Sequence, residues 1–184
     1  MELENTVIGI LFVNNIIIKD NLIHELLSLK NIEKAKLIPI IKFDMQNIKF
    51  MSKITKFNPI FYNKGIILEK TIKSLDILIL VACSEDLIYR LSNKIYNNNI
   101  LNIIRSCKIN NKPIIIGINF KDFNFSQFNL LDKLYNQKGY YFIPFKINNP
   151  ITRPNDLSFD SSLLTQTTLL ALQNIQIKPI FSSF

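Results

Sequence analysis

Histidine occurs once, at His24, and no Cys/His or paired-carboxylate cluster has the spacing of a metal site. Zinc chemistry and a Ser-His-Asp arrangement therefore have no support, and His24, within an expected surface helix, reads as a bystander. Glycine is equally scarce. Gly9, Gly65, Gly117 and Gly139 each stand alone, so neither the phosphate-binding P-loop nor the dinucleotide fingerprint is present. A phosphate held by a helix N-terminus stays open, with Ser84 to Leu87 as the place to look. Two cysteines, Cys83 and Cys107, cannot build a disulfide framework. No apolar run approaches the roughly 18 residues of a membrane helix, and the acids in Met1 to Thr6 do not resemble the start of a signal peptide. A cytoplasmic protein with no membrane partner is expected.

Arginine is the remaining shortage, with 3 Arg against 19 Lys in a chain of net charge +8. Nucleic-acid readers favour clustered Arg, whereas these lysines are scattered. The accompanying 34 Ile and 23 Asn suggest the codon bias of an AT-rich genome. A solvated lysine surface explains the charge, and no nucleic-acid partner is expected.

What the chain has in quantity is buried-strand sequence. Ile77 to Ala82 is an unbroken apolar run, and Pro113 to Ile118 is another. Between them Leu87, Ile88, Leu91 and Ile95 recur at helical spacing, and a second apolar-periodic helix runs from Ile100 to Ile109. Strand, crossover helices and parallel strand form the centre of the molecule. Ligands in such sheets sit outside the carboxyl ends of the strands, which directs attention to Cys83–Asp86 and Asn119–Asp122.

On the amino side, Thr6 to Val13 is a strand in which Gly9 allows close approach of a neighbour. Asp20 opens a helix ending near Asn31, and Lys36 to Ile41 is a second strand whose Pro39 suggests an edge or bulge. From Asp44 to Ser74 the pattern suggests a helix through Met45, Ile48, Met51, Ile54 and Phe57, a break at Asn58-Pro59, and a short helix from Ile66 to Ile72. On the carboxyl side, Phe125, Phe128, Leu131 and Leu134 form a helical stripe, and Tyr140 to Pro144 is a fifth strand. A loop from Lys146 to Asp156 precedes a last helix carrying Leu163, Leu164, Thr167, Leu170, Ala171 and Ile175. The alternation predicts one α/β domain over 1–184, a doubly wound three-layer sandwich with a mostly parallel sheet, the segment 146–184 packing on it.

Several side chains admit two readings. Cys83 is either a low-pKa thiolate or a small residue closing a strand. Arg90 either reaches a carboxylate or phosphate or is an exposed helix cation, and Arg153, in a proline-framed loop, poses the same choice. Asp86 is an acid suited to a helix start, with a catalytic base as the alternative.

Read together, Leu75-Asp76, Asn93, Asn111 to Ile118, Tyr141 to Phe145, Pro150 and Arg153-Pro154-Asn155 resemble the dipicolinate synthase B-subunit family, within the flavoprotein superfamily of flavin-dependent cysteine decarboxylases. Lys36 to Ile40 and Gln176 to Ile180 are similar to it as well, and the likeness runs in order from Leu75 to Ile180. The resemblance implies a flavoprotein-like Rossmann sandwich and a sporulation function in the mother cell. The reaction implied is oxidation of a dihydrodipicolinate-level dicarboxylate to dipicolinate, with a separate A subunit carrying NADPH or NADP, and hence a homo- or hetero-oligomer. It implies cofactor-side positions at Asn14, Asn15, Ser84, Arg90 and Asn93, and substrate-side positions at Arg90, Arg153 and Asn155.

The chain departs from that pattern at its phosphate turns. A Thr-Gly-Ser type turn is replaced by about Val13-Asn14-Asn15. Ala-Pro-x-Thr-Gly-Asn-Ser followed by Lys is replaced by Val81 to Leu87 followed by Arg90, and an Arg-Phe-Gly element is missing from 44–74. Ser84, Arg90 and Asn93 keep the hydroxyl, cation and amide. Glu85 and Asp86 place two negative charges where a phosphate of flavin mononucleotide (FMN) would approach. Alternatives to the synthase reading are a non-catalytic structural partner of the A subunit, and behind it a flavin-binding decarboxylase-like protein or flavin carrier.

Overall fold

A computed structural model describes residues 3–13, 20–31, 34–42, 52, 54–62 and 69–181. Eight strands form one sheet: β1 (Val7–Phe12), β2 (Lys36–Lys42), β3 (Ile60–Tyr62), β4 (Ile77–Cys83), β5 (Ile114–Phe120), β6 (Tyr140–Phe142), β7 (Phe145–Asn149) and β8 (Arg153–Phe159). The described helices are α1 (Asp20–Asn31), α2 (Glu69–Ser74), α3 (Glu85–Ser92), α4 (Asn99–Ile109), α5 (Phe125–Tyr135) and α6 (Leu164–Leu172).

The strand order is β3-β2-β1-β4-β5-β8-β7, with β6 also paired to β5. β1 pairs in parallel with both β2 and β4, β4 with β5, and β5 with β6. The chain thus winds outward through β2 and β3 and returns beyond β1 to β4, which makes the β1/β4 boundary the switch point of the sheet. The mostly parallel three-layer sandwich expected from the sequence is the fold observed.

β4 is apolar throughout because both its faces are covered. Ile77, Ile79 and Val81 pack with Leu26 of α1 and Leu164 and Ala171 of α6. Leu78 and Leu80 pack on the other side with Leu91 of α3 and Ile104 of α4. Gly9 has the close neighbour expected of it: a Cβ built there would stand 2.6 Å from Leu75 Cδ1. Asp76 fastens the same corner, its backbone N–H donating to Val7 O at 2.8 Å while its carboxylate accepts from Val7 N–H at 2.8 Å. Pro39 precedes Ile40, the residue at which pairing with β3 begins, so the proline stands where β2 has a ladder partner only in β1.

Several expectations are corrected. The segment 146–156 is not a loop but most of the antiparallel β7–β8 hairpin, joined to the sheet through Asn119↔Ser158 and Phe120↔Leu157. Its polar sequence suits strands with one wet face, which carry no continuous apolar run. The α5 stripe is rotated: Gln127, Leu131 and Leu134 are buried, whereas Phe125 and Phe128 are exposed. The last helix stops at Leu172, leaving Ile175 outside it, and Leu163 lies in a 3-10 turn. In the 44–74 stretch a 3-10 turn at Thr55–Phe57 precedes β3, a strand not foreseen, and the described part of the short helix is Glu69–Ser74. The earlier part of the expected helix, residues 43–51, and the start of the short one at 66–68 lie outside the described residues.

Candidate functional site

The carboxyl edge of the sheet is where β4 and β5 deliver their loops. The β4–β5 register shifts between Leu80 and Cys83, and Ala82 takes φ 55°, a left-handed conformation costing an alanine about 1–2 kcal/mol. Such strain concentrates at functional positions. Beyond it Cys83 is wholly buried, its thiol donating to Leu80 O at 3.8 Å, and burial pushes its pKa far up. The thiolate alternative is therefore corrected: Cys83 closes the strand as a small apolar residue.

Ser84 is the N-cap of α3, extended and half-buried, and its side chain makes no capping bond. α4 and α5, by contrast, are capped by Asn98 and Asn124. Among the described residues the first N–H groups of α3 thus have no side-chain acceptor, the arrangement that suits an anion. The two acids that follow bear on the same turn. Glu85 accepts from the buried Gln127 amide at 2.7 Å. Asp86 receives Arg90 Nε at 2.9 and 2.8 Å on its two oxygens.

Gln127 links the two helix starts. Its Oε1 accepts from Asn124 N–H at 2.9 Å in a capping box, while its Nε2 holds Glu85. The loop between β5 and α5 is fixed from the hairpin side, where Phe123 N–H donates to Asn155 O at 2.7 Å and Asp122 N–H to the largely buried Asp156 carboxylate at 3.2 Å. Because β8 runs antiparallel to β5, the start of β8 continues past the carboxyl end of β5. Arg153 and Asn155 consequently lie on the rim of this edge, both exposed.

The expected site residues are therefore dispersed. Ser84 lies at the cleft. Arg90, one and a half turns into α3, is held by Asp86 and donates through Nη1 to Asn97 Oδ1 at 3.1 Å; the Asp86 hydrogen bond and charge raise its already high pKa. Asn93 caps the opposite end of α3, nine residues and about 13 Å along the axis from Ser84. There its amide donates to Tyr89 O at 2.9 Å and its oxygen accepts from Lys133 Nζ at 2.7 Å. The structure does not bring Ser84 and Asn93 together. Among the described residues Arg153 pairs with Asp156, Nη1 to Oδ2 at 3.7 Å. Asn14 and Asn15 lie outside the described residues. His24 is solvent-exposed, and among the described residues no group of three or more His, Cys, Asp or Glu could hold a metal ion.

Sequence reading missed Gln127 and Asp156. The spacing Asn124-x-x-Gln127 is itself a capping-box signature and would have pointed to the first; nothing in the local sequence marks the second.

No family model matches the chain. The B subunit of dipicolinate synthase from Bacillus subtilis (strain 168) is 29% identical over 107 residues, 58% of this chain and 53% of that protein. The match thus spans about half the length of this relative. Among solved structures, the B subunit of dipicolinate synthase from Bacillus halodurans superposes with a TM-score of 0.78 at 20% identity, over 100% of this chain and 99% of that one. A peptidyl-cysteine decarboxylase gives 0.65 at 13% identity, over 90% of this chain and 99% of its own. An FMN-dependent cysteine decarboxylase gives 0.63 at 10% identity, over 90% and 98%. The resemblance read from the sequence holds in both kinds of comparison, and the fold is flavoprotein-like.

Proposed function

We propose that this chain acts as a B subunit of dipicolinate synthase, assembling with a separate A subunit that binds NADP. The reaction would remove a hydride and a proton from dihydrodipicolinate, the hydride passing to NADP and the proton to solvent, leaving aromatic dipicolinate. The observation that carries this reading is the graded likeness. A B subunit is matched over the whole chain at a TM-score of 0.78, against 0.65 and 0.63 for the two decarboxylases, and a B subunit is also the sequence relative.

The share of this chain is read as substrate positioning at the carboxyl edge. A dicarboxylate entering there would meet the uncapped start of α3 beside Ser84, with Arg153 and Asn155 on the rim. Arg153 is the better carboxylate partner, since its present contact is long, whereas Arg90 would first have to give up the short bond of its Nε–H, shared between both Asp86 oxygens. Asn93 is too remote to join them.

The superfamily implies FMN, and the α3 turn is the place to test its fit. Free N–H groups favour a phosphate, but a phosphate brings both its charges to the turn that holds Glu85 and Asp86, whereas a dicarboxylate brings one and keeps the other at the rim, and Glu85 already occupies Gln127. We infer that these residues do not suit a flavin phosphate. The same acids favour, as a second reading, a non-catalytic structural partner of the A subunit.

The test is dipicolinate formation, followed by ultraviolet absorbance, in a mixture of the A subunit, NADP and enzymatically generated dihydrodipicolinate, with and without this chain. Product only when both chains are present establishes an essential component of the synthase. Equal rates with the isolated A subunit, despite complex formation, select the structural partner. In the active mixture Arg153→Ala should lower turnover at least ten-fold with assembly intact, and unchanged turnover would remove Arg153 from the site.

A further inference from the structure

The opposite edge of the sheet carries a second cluster with no part in the cleft. Tyr140 opens β6 beside Ile114, the first residue of β5, so it lies at the amino ends of the strands, where α3 and α4 terminate. It is 4% exposed, and its hydroxyl is buried with no hydrogen-bond partner. The Tyr96 phenol stands near it without completing a bond, and burial first, then that neighbour, keep the Tyr140 phenol neutral and able to donate.

Three cations gather around the Tyr140–Tyr96 pair. Lys108 Nζ sits 4.0 Å from the Tyr140 ring centroid and donates to Gln137 Oε1 at 3.1 Å. Arg105 lies over the Tyr96 ring with its guanidinium carbon 5.6 Å from the centroid. Lys94 takes φ 58° just past α3, a left-handed position ordinarily given to glycine or asparagine, and its charge reaches Lys108. Among the described residues none of the three forms an ion pair with a carboxylate. Helix C-termini attract lysines in any case. That accounts for Lys94 and Lys108 lying at these ends, but not for a partly buried Lys108 left within range of another cation's charge and without a carboxylate, nor for a buried hydroxyl donor without an acceptor.

We propose that this cluster is a binding site for a small phosphate-class oxyanion, with Tyr140 as hydroxyl donor and Lys108, Lys94 and Arg105 as its cations. A tetrahedral dianion supplies what the cluster lacks, an acceptor for the phenol and negative charge for three unpaired cations. Arg105 is exposed and Tyr96 and Lys108 are partly exposed, so the cluster reaches the surface. The site is independent of the carboxyl-edge cleft and of any synthase activity.

The experiment titrates the full chain with inorganic phosphate at constant ionic strength, using calorimetry and thermal unfolding, with chloride and acetate as controls. We expect saturable one-site binding that raises Tm and is not reproduced by chloride or acetate. Lys108→Met should weaken it at least ten-fold and Tyr140→Phe about five-fold, while Lys121→Ala, an exposed lysine elsewhere, leaves it unchanged. Tyr140→Phe carries a further signature. Without phosphate the variant should melt at or above the wild-type temperature, because an unpaired buried hydroxyl is gone; at saturating phosphate it should melt below. Absence of saturable binding, binding unaffected by Lys108→Met and Tyr140→Phe, or equal loss in Lys121→Ala would each overturn the proposal.

Discussion

Gly9→Ala puts one methyl group into the tightest corner of the sheet. The new Cβ would lie 2.6 and 3.2 Å from the two Leu75 methyls and 3.1 Å from Leu78 Cδ1, and both leucines are fully buried. A contact at 2.6 Å forces Leu75 to move, and Leu75 sits between the end of α2 and the start of β4, where Asp76 is bonded at both backbone and side chain to Val7. Overpacking of this kind costs about 1–3 kcal/mol, offset by about 0.4–1 kcal/mol from the smaller entropy of the unfolded alanine chain. The net loss is about 1–2 kcal/mol, or roughly 3–6 °C in Tm for a chain of this size. Thermal unfolding followed by far-ultraviolet circular dichroism measures it directly. Two further variants isolate the cause. On the Gly9→Ala background, Leu75→Ala should cost less than its usual ~2–5 kcal/mol, the coupling marking a shared space. Gly139→Ala, at φ 91° with nothing within 4 Å of the new Cβ, should lose stability through backbone strain alone and show no coupling to Leu75. A Gly9→Ala protein as stable as wild type would refute the claim that this glycine is required by close packing.

Gln127→Leu removes the capping-box partner of Asn124 and the donor to Glu85 together, and should cost about 1–2 kcal/mol; in urea unfolding, adding Glu85→Ala to it should cost almost nothing more. Both thiols should resist an aqueous thiol reagent in the native protein and react together once it is denatured, because Cys83 is fully buried and burial pushes Cys107 up to about 12. Rapid native labelling of either would contradict the packing described. Asp160 is disfavoured as an anion by its burial, but the Ser162 hydroxyl and N–H and the Lys146 ammonium outweigh that and hold its carboxyl below the ordinary range. The resulting stabilisation should be complete above the unfolded value near ~4 and disappear as pH falls through the lowered folded one. The urea midpoints of wild type and Asp160→Asn should therefore differ by a constant amount above about pH 5 and converge in acid.

The legible parts of the fold were those whose sequence obeyed one rule at a time. β4 and β5 are apolar at nearly every position because both faces are covered, and α3 and α4 repeat their leucines and isoleucines with one face inward. The hairpin escaped because Lys146, Asn149, Arg153 and Asn155 are polar and Pro154 argues against a strand, while its attachment to the sheet rests on two residue pairs at the end of β5. In α5 the error was one of rotation. Gln127 takes a buried position that pattern reading assigns to an apolar residue, because the cap and Glu85 satisfy it, and two phenylalanines are left outside. At the site, strand-end logic and the resemblance both direct attention to Ser84, and the structure sets it at the end of β4 as the N-cap of α3. The resemblance groups Arg90 and Asn93 with it, but they lie further along α3, where Asp86 at i−4 and Lys133 across the helix pair claim them. Linear spacing does not show which partner a side chain will find.

Glu85 is the residue on which the catalytic and structural readings divide. It stands at the uncapped start of α3, exposed on its solvent side and bonded to Gln127 on the other, so a dicarboxylate in the cleft would approach its charge. A dicarboxylate presents one carboxylate to Glu85 and carries the other further off; at about 8 Å and an effective dielectric of about 40 the repulsion on the nearer charge is about 1 kcal/mol, roughly five-fold in Kd. Glu85→Gln preserves length and the bond to Gln127 while removing that charge, so dipicolinate should bind the variant about five-fold tighter, as measured by calorimetry on the complex of this chain with the A subunit. The gain should shrink at high salt, because the pair is near solvent. Tighter binding that is lost again in Glu85→Gln/Arg153→Ala places the dicarboxylate between the α3 turn and the hairpin rim. Identical affinities for wild type and Glu85→Gln, at low and high salt alike, would mean that no dicarboxylate enters this cleft, and the acids of α3 would then mark a surface kept for assembly.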